Sequence, residues 1–150
     1  MTHLRKRILS REPLLGCFLT WPTEGLAEVL AIASFDFVVL DTEHGHYNPE
    51  SVERMVRAAD SARIPAIVRV PNCQAVAEAG RALDAGAAGT LFPRADGAPV
   101  VRGAVESTKY APPGNFSLRA KHAPSANPEA ASDRIASRAL SDNSVSWVAV

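Results

Sequence analysis

Asp41, Glu43, His44 and His46 fall within one short polar stretch, Asp41-Thr-Glu-His-Gly-His46, directly behind an apolar run. Two carboxylates beside two imidazoles suit general acid–base chemistry, because a carboxylate orients an imidazole and stabilises its charged form. The same composition also suits a solvated loop whose Asp and His side chains cap turns. A His-x-His metal pair, His44 with His46, is a further reading, weakened by Gly45 between them and by the lack of a companion ligand set. Arg69 closes another apolar run, where its planar fork can meet a carboxylate or a keto oxygen; an ordinary ion pair with a loop acid uses the same donors. Trp21 follows a third run and serves either as a pocket wall or as core or rim packing. Arg94, after Pro93, takes no role from its position alone.

Each of these residues stands where an apolar segment hands over to a polar one. Leu14 to Leu19 reads as a buried strand ended by Trp21-Pro22, and Leu26, Val29, Leu30 and Ala33 follow at helical spacing, with Glu24 early in that helix. Phe35 to Leu40 is too continuously apolar for a strand with one wet face. Behind the loop Asp41 to Tyr47, Asn48 is placed to cap and Pro49 to open a helix whose stripe is Val52, Met55, Val56 and Ala59, with Glu53 and Arg57 one turn apart outside it. Pro65 to Val70 is a third strand, followed by a helix marked by Val76, Ala79 and Leu83 that closes at Gly86. Gly89 to Pro93 is a fourth, and a weaker helix over 100–108 ends before Tyr110-Ala-Pro-Pro-Gly114. Residues 115–128 read as loop, 129–140 as a weak helix, and Val145 to Val150 as a further strand.

Strand and helix in alternation predict an α/β fold with a parallel sheet and right-handed crossovers. In barrels and open sheets of this class, functional groups gather at the C-terminal ends of the strands. That rule brings Trp21, the Asp41–His46 loop, Arg69 and Arg94 to one rim. A complete eight-stranded barrel needs about 250 residues, so on a barrel reading a chain of 150 residues would hold about five of the eight strands as one truncated domain, with a loop-rich stretch at 115–144.

Sixteen basic and sixteen acidic residues cancel, leaving no summed positive field for nucleic acid or anionic lipid. Nucleic acid and membrane are therefore not expected as partners. The basic cluster Arg5-Lys6-Arg7 is followed by Arg11, Glu12 and Pro13, which interrupt the apolar stretch a signal peptide needs. A cytoplasmic protein is expected, with Cys17 and Cys73 as reduced, mostly buried thiols.

Gly16-Cys-Phe-Leu-Thr-Trp21, Phe35-Asp-Phe-Val-Val-Leu-Asp-Thr-Glu-His-Gly45, Val68-Arg-Val-Pro71, Leu83-Asp-Ala-Gly86, Gly89-Thr-Leu-Phe-Pro93 and Lys109-Tyr-Ala-Pro-Pro-Gly114, in that order, resemble the HpcH/HpaI aldolase and citrate lyase family. The resemblance implies a TIM-type barrel and a metal-dependent aldolase that releases pyruvate from 2-keto-3-deoxy or 4-hydroxy-2-oxo acids. It makes His44 the catalytic histidine, Asp41 the acid that orients it and Arg69 the arginine that steadies the pyruvate enolate; Arg69, Trp21 and Glu43 are expected as substrate contacts. A divalent cation, Mg²⁺ or Mn²⁺, is implied, with its Glu and Asp ligands following later strands, beyond Val150. The implied partners are a keto acid and an aldehyde, and the full-length family is expected to form homo-oligomers. The Arg-Gly that such sequences carry after Pro-Pro-Gly is replaced here by Asn115-Phe116.

Overall fold

A computed structural model of the chain describes residues 2–108. Strands β1 (Gly16–Leu19), β2 (Phe37–Asp41), β3 (Ala66–Arg69) and β4 (Gly89–Leu91) form one parallel sheet in the order β1-β2-β3-β4. Helices α2 (Glu24–Ile32), α3 (Pro49–Ser61) and α4 (Val76–Asp84) connect them, α1 (Thr2–Leu9) precedes β1 and α5 (Ala98–Ser107) follows β4.

Side chains alternate across a strand, and here both faces are dry. Val38, Leu40 and Val68 pack with Met55, Val56 and Ala59 of α3 and Ala82 of α4. Val39, Ile67 and Leu91 point the other way, where Leu4 of α1 joins them. Asp41 and Arg69 share this second face, two residues beyond Val39 and Ile67, and stand directly opposite each other in the β2–β3 register. The continuous apolar reading of β2 follows from this two-sided burial.

Local chemistry sets the helix ends. Asn48 Oδ1 accepts the Ser51 backbone N–H at 2.8 Å, and Ser51 Oγ accepts the Asn48 N–H at 2.9 Å, a reciprocal cap behind which Pro49 opens α3. Asn48→Ala is expected to cost about 1 kcal/mol, read as a lower urea midpoint at unchanged slope. At the end of α4, Gly86 takes φ +104°; its N–H reaches Leu83 O and that of Ala87 reaches Ala82 O, which satisfies two terminal carbonyls.

The structure departs from the sequence reading in several places. Helix α1 was not expected. Leu4 is deeply buried, and Arg7 ties the helix down through Asp36, just before β2, at 2.6 Å. Asp36 also accepts the Leu15 N–H, and that amide bond together with Arg7 holds its carboxyl below the usual range. The stripe read on α2 is rotated: Ala27 is the buried residue, with Leu30 and Ala31 partly buried, while Leu26 and Val29 are exposed. Close packing there favours the small side chain over the large ones. Leu83 is only half-buried, and Ala79, Gly80 and Ala82 form the inner face of α4. Both cysteines are free and half-buried rather than mostly buried. Four of the expected strands are described; the Pro-Pro-Gly turn, the 115–144 stretch and the strand at 145–150 lie outside the described residues.

Candidate active site

Arg69 and Asp41 form a two-point ion pair across the ends of β3 and β2. Arg69 Nε donates to Asp41 Oδ1 at 2.8 Å and Nη2 donates to Oδ2. Their side chains are 13% and 4% exposed. Asp41 Oδ1 also accepts the backbone N–H groups of Glu43 and His44, each at 3.1 Å. Burial pushes the Asp41 carboxyl up, but the Arg69 hydrogen bonds, the His44 amide and the Arg69 charge outweigh it and hold the group below the usual carboxylate range. The Phe18 ring lies 5.0 Å from Arg69 Cζ, a cation–π contact that steadies the guanidinium plane.

Glu43 carries a second set of charges. Its Oε1 accepts Arg94 Nη2 at 3.0 Å, its Oε2 lies 3.5 Å from Arg69 Nε, and His44 Nε2 approaches Oε1 at 3.8 Å. One nearly buried carboxylate thus sits between two guanidiniums and an imidazole. The Cys73 thiol donates to the Pro93 carbonyl and lies against that of Arg94, tying the loop after β3 to the one after β4.

The loop itself is held from below. Thr42 sends both its N–H and its hydroxyl to the Arg69 carbonyl, at 3.0 and 2.6 Å. The His46 N–H reaches Thr20 O at 2.8 Å, and the Tyr47 hydroxyl donates to Trp21 O at 3.1 Å. Burial, with added repulsion from Asp41 and Glu24, pushes the Tyr47 phenol up to about 12, so it remains a donor. Trp21 is exposed, and its ring lies against His46 with centroids 4.0 Å apart. Gly45 makes this crossing possible: a Cβ there would stand 2.1 Å from Asp41 O and 2.8 Å from Thr20 O. Gly45→Ala is expected to destabilise the chain by about 1–3 kcal/mol and to shift the amide resonances of 41–46; an unchanged spectrum would show that the loop accommodates a methyl group.

Asp41, Glu43, His44, Arg69 and Arg94 therefore converge at the C-terminal end of the sheet, with Trp21 and His46 at its border. The expected contact between the Asp41 carboxylate and the His44 ring is not what the geometry shows: the carboxylate grips the His44 backbone amide and spends its oxygens on Arg69, while the imidazole, 68% exposed, turns toward Glu43. Sequence reasoning did not reach Phe18 or the Glu43–Arg94 pair. Strand alternation places Phe18 on the Asp41 face, but the β1–β2 register needed to use that signal comes only with coordinates.

No group of three or more His, Cys, Asp or Glu side chains able to hold a metal ion occurs among the described residues. Asp41 and Glu43 are engaged by arginines, and His44 and His46 face different neighbours. These residues do not by themselves form a divalent metal centre. A cavity of about 600 Å³ lies elsewhere, on the helix side between α3 and α4, and touches the polar loop through Thr42 and Tyr47. Asp41, Glu43, His44, Arg69 and Arg94 do not line it; Glu53, Glu78 and Arg81 do.

A family model described as HpcH/HpaI aldolase/citrate lyase matches residues 14–136. The chain belongs to this family. A hydroxypyruvate/pyruvate aldolase of Paraburkholderia phytofirmans is 35% identical over 109 residues, covering 71% of this chain and 42% of the relative. A 4-hydroxy-2-oxo-heptane-1,7-dioate aldolase of Salmonella dublin is 33% identical over 102 residues, covering 68% of this chain and 38% of the relative. The crystal structure of a citrate synthase, SbnG, superposes with a TM-score of 0.70 at 35% identity, covering 77% of this chain and 46% of that one. The chain thus spans about two fifths of the length of the curated relatives it matches. Its fold is part of the TIM-type (β/α) barrel of this HpcH/HpaI family, four of whose parallel strands are described.

Proposed function

We propose that this HpcH/HpaI segment carries the keto-acid end of an aldolase site that cleaves a 4-hydroxy-2-oxo or 2-keto-3-deoxy acid to pyruvate and an aldehyde. The observation that carries the reading is the Asp41–Arg69 pair, a guanidinium locked in orientation at the rim by a buried carboxylate below and Phe18 beside it. In the reaction the C4 hydroxyl loses its proton, the C3–C4 bond breaks, and the electron pair moves into the enolate of pyruvate, which is then protonated at C3. His44, exposed at the mouth, takes the hydroxyl proton directly or through water. Arg69 stabilises the charge that develops on the enolate oxygen through donors not turned toward Asp41. Asp41 is a positioning residue, Trp21 forms a wall, and Glu43 acts on substrate through the arginines it holds.

A divalent cation, Mg²⁺ or Mn²⁺, is part of this reading, with ligands outside the described residues. The chain, which spans about two fifths of the curated relatives it matches, is also proposed to be inactive by itself. Homo-oligomeric assembly and a cytoplasmic location complete the proposal; no helix among the described residues is long and apolar enough to cross a membrane. A second reading is a non-catalytic barrel piece used for binding or assembly.

Pyruvate release separates the two. The chain alone is compared with the chain joined to the part of the P. phytofirmans relative it does not cover, with Mg²⁺ or Mn²⁺ and a 4-hydroxy-2-oxo acid. Release by the joined form alone supports the aldolase reading with an incomplete chain. Release by the chain alone overturns the claim of inactivity, and silence in both removes the aldolase assignment.

A further inference from the structure

We propose that Arg94 is a specificity-determining residue: its guanidinium takes the second carboxylate of a short 2-oxo dicarboxylate whose keto-acid end rests on Arg69. The inference builds on the keto-acid role given to Arg69 above. Three observations carry it. Arg94 lies in the turn that follows β4, the strand paired with Arg69's own, and its side chain is 75% exposed while anchored at one Nη2 donor, so most of its fork is open to solvent. Its backbone holds φ +48°, outside ordinary strand geometry, with the Cys73 thiol at the carbonyls of Pro93 and Arg94; non-glycine residues in that conformation need such local support.

The third observation concerns the seat itself. The two guanidiniums already bracket a carboxylate, that of Glu43, one at each oxygen. The two guanidiniums are therefore separated by roughly the width of one carboxylate with a hydrogen bond on one side and an ion-pair contact on the other, a span that the two ends of a short diacid reach. Glu43 lies beneath, 9% exposed, and keeps both arginines in place before a ligand arrives. A monocarboxylate such as pyruvate uses Arg69 and leaves Arg94 on Glu43; a dicarboxylate engages both.

Dissociation constants of pyruvate and 2-oxoglutarate for the chain, measured by ligand-observed NMR, test this. The unmodified chain is expected to bind 2-oxoglutarate at least about threefold more tightly than pyruvate, the range of a charge-assisted contact that is largely solvent-exposed. Arg94→Gln, whose side-chain amide can still donate to Glu43, is expected to remove that preference by weakening 2-oxoglutarate binding more than pyruvate binding. Arg94→Lys, which keeps the charge but loses the planar fork, is expected to fall between. Equal binding of the two acids by the unmodified chain, or a preference that survives Arg94→Gln, overturns the role of Arg94 while the keto-acid role of Arg69 stands. Failure of both acids to bind overturns both.

Discussion

Arg69→Met is expected to lower folding stability by about 3 kcal/mol at neutral pH, because it strips the partner from a carboxylate buried at the end of β2. The loss has a pH signature. In the unmodified chain the Asp41 carboxyl is depressed, so the stability it contributes is fully present above its unfolded value, about 3.9, and disappears as pH falls through the lower folded value. Without Arg69 the upward push of burial loses its main opponent. Asp41 is then most costly when ionised, and acid relieves the cost by protonating it. The stability gap between variant and parent is therefore expected to be widest near neutrality and to narrow as pH is lowered through the carboxylate range, in urea titrations at a series of pH values. Asp41→Asn combined with Arg69→Met is expected to recover part of the loss. A gap that does not change with pH would show that Asp41 is not the group left uncompensated.

His44→Ala is expected to do the opposite: large in chemistry, small in stability. The ring is mostly exposed and its fold-relevant contact is the backbone amide on Asp41, which any residue retains. Surface changes of that kind stay within about 0.5 kcal/mol. A positioned proton acceptor is worth about 10²–10⁴ in rate, and pyruvate release by the barrel-completed chain is expected to fall by that factor. A drop below tenfold would assign the proton to another group, and a loss of stability matching that of Arg69→Met would make His44 structural.

The contrast between these two residues shows what the sequence could and could not convey. The alternation of elements, the Asn48-Pro49 helix start and the Gly86 helix end are local signals, and they are readable because their partners lie within a few residues. The partner of Asp41 is not local. His44, three residues on, is the obvious neighbour in a linear reading, yet the β2–β3 register puts Arg69 directly across, and a fixed guanidinium on the adjacent strand outcompetes an exposed ring for a buried carboxylate. Arg94 stayed without a role for the same reason, since Glu43 is 51 positions away. Helix α1 was hidden because its anchor, Arg7 on Asp36, is ionic and spans 29 positions. The α2 stripe was misplaced because large residues advertise a face that a close-packed sheet gives instead to Ala27.

All of these roles require a 2-oxo acid to dock at the C-terminal end of the sheet, and pyruvate titrated into the isotope-labelled chain, with backbone amide shifts recorded, tests that most directly. The expected result is a set of perturbed resonances confined to Thr20–Trp21, Thr42–His46 and Arg69–Val70, abolished in Arg69→Met under conditions where that variant remains folded. Perturbations centred instead on the groove between α3 and α4, around Val52, Arg81 and Ala85, would contradict the assignment of the site.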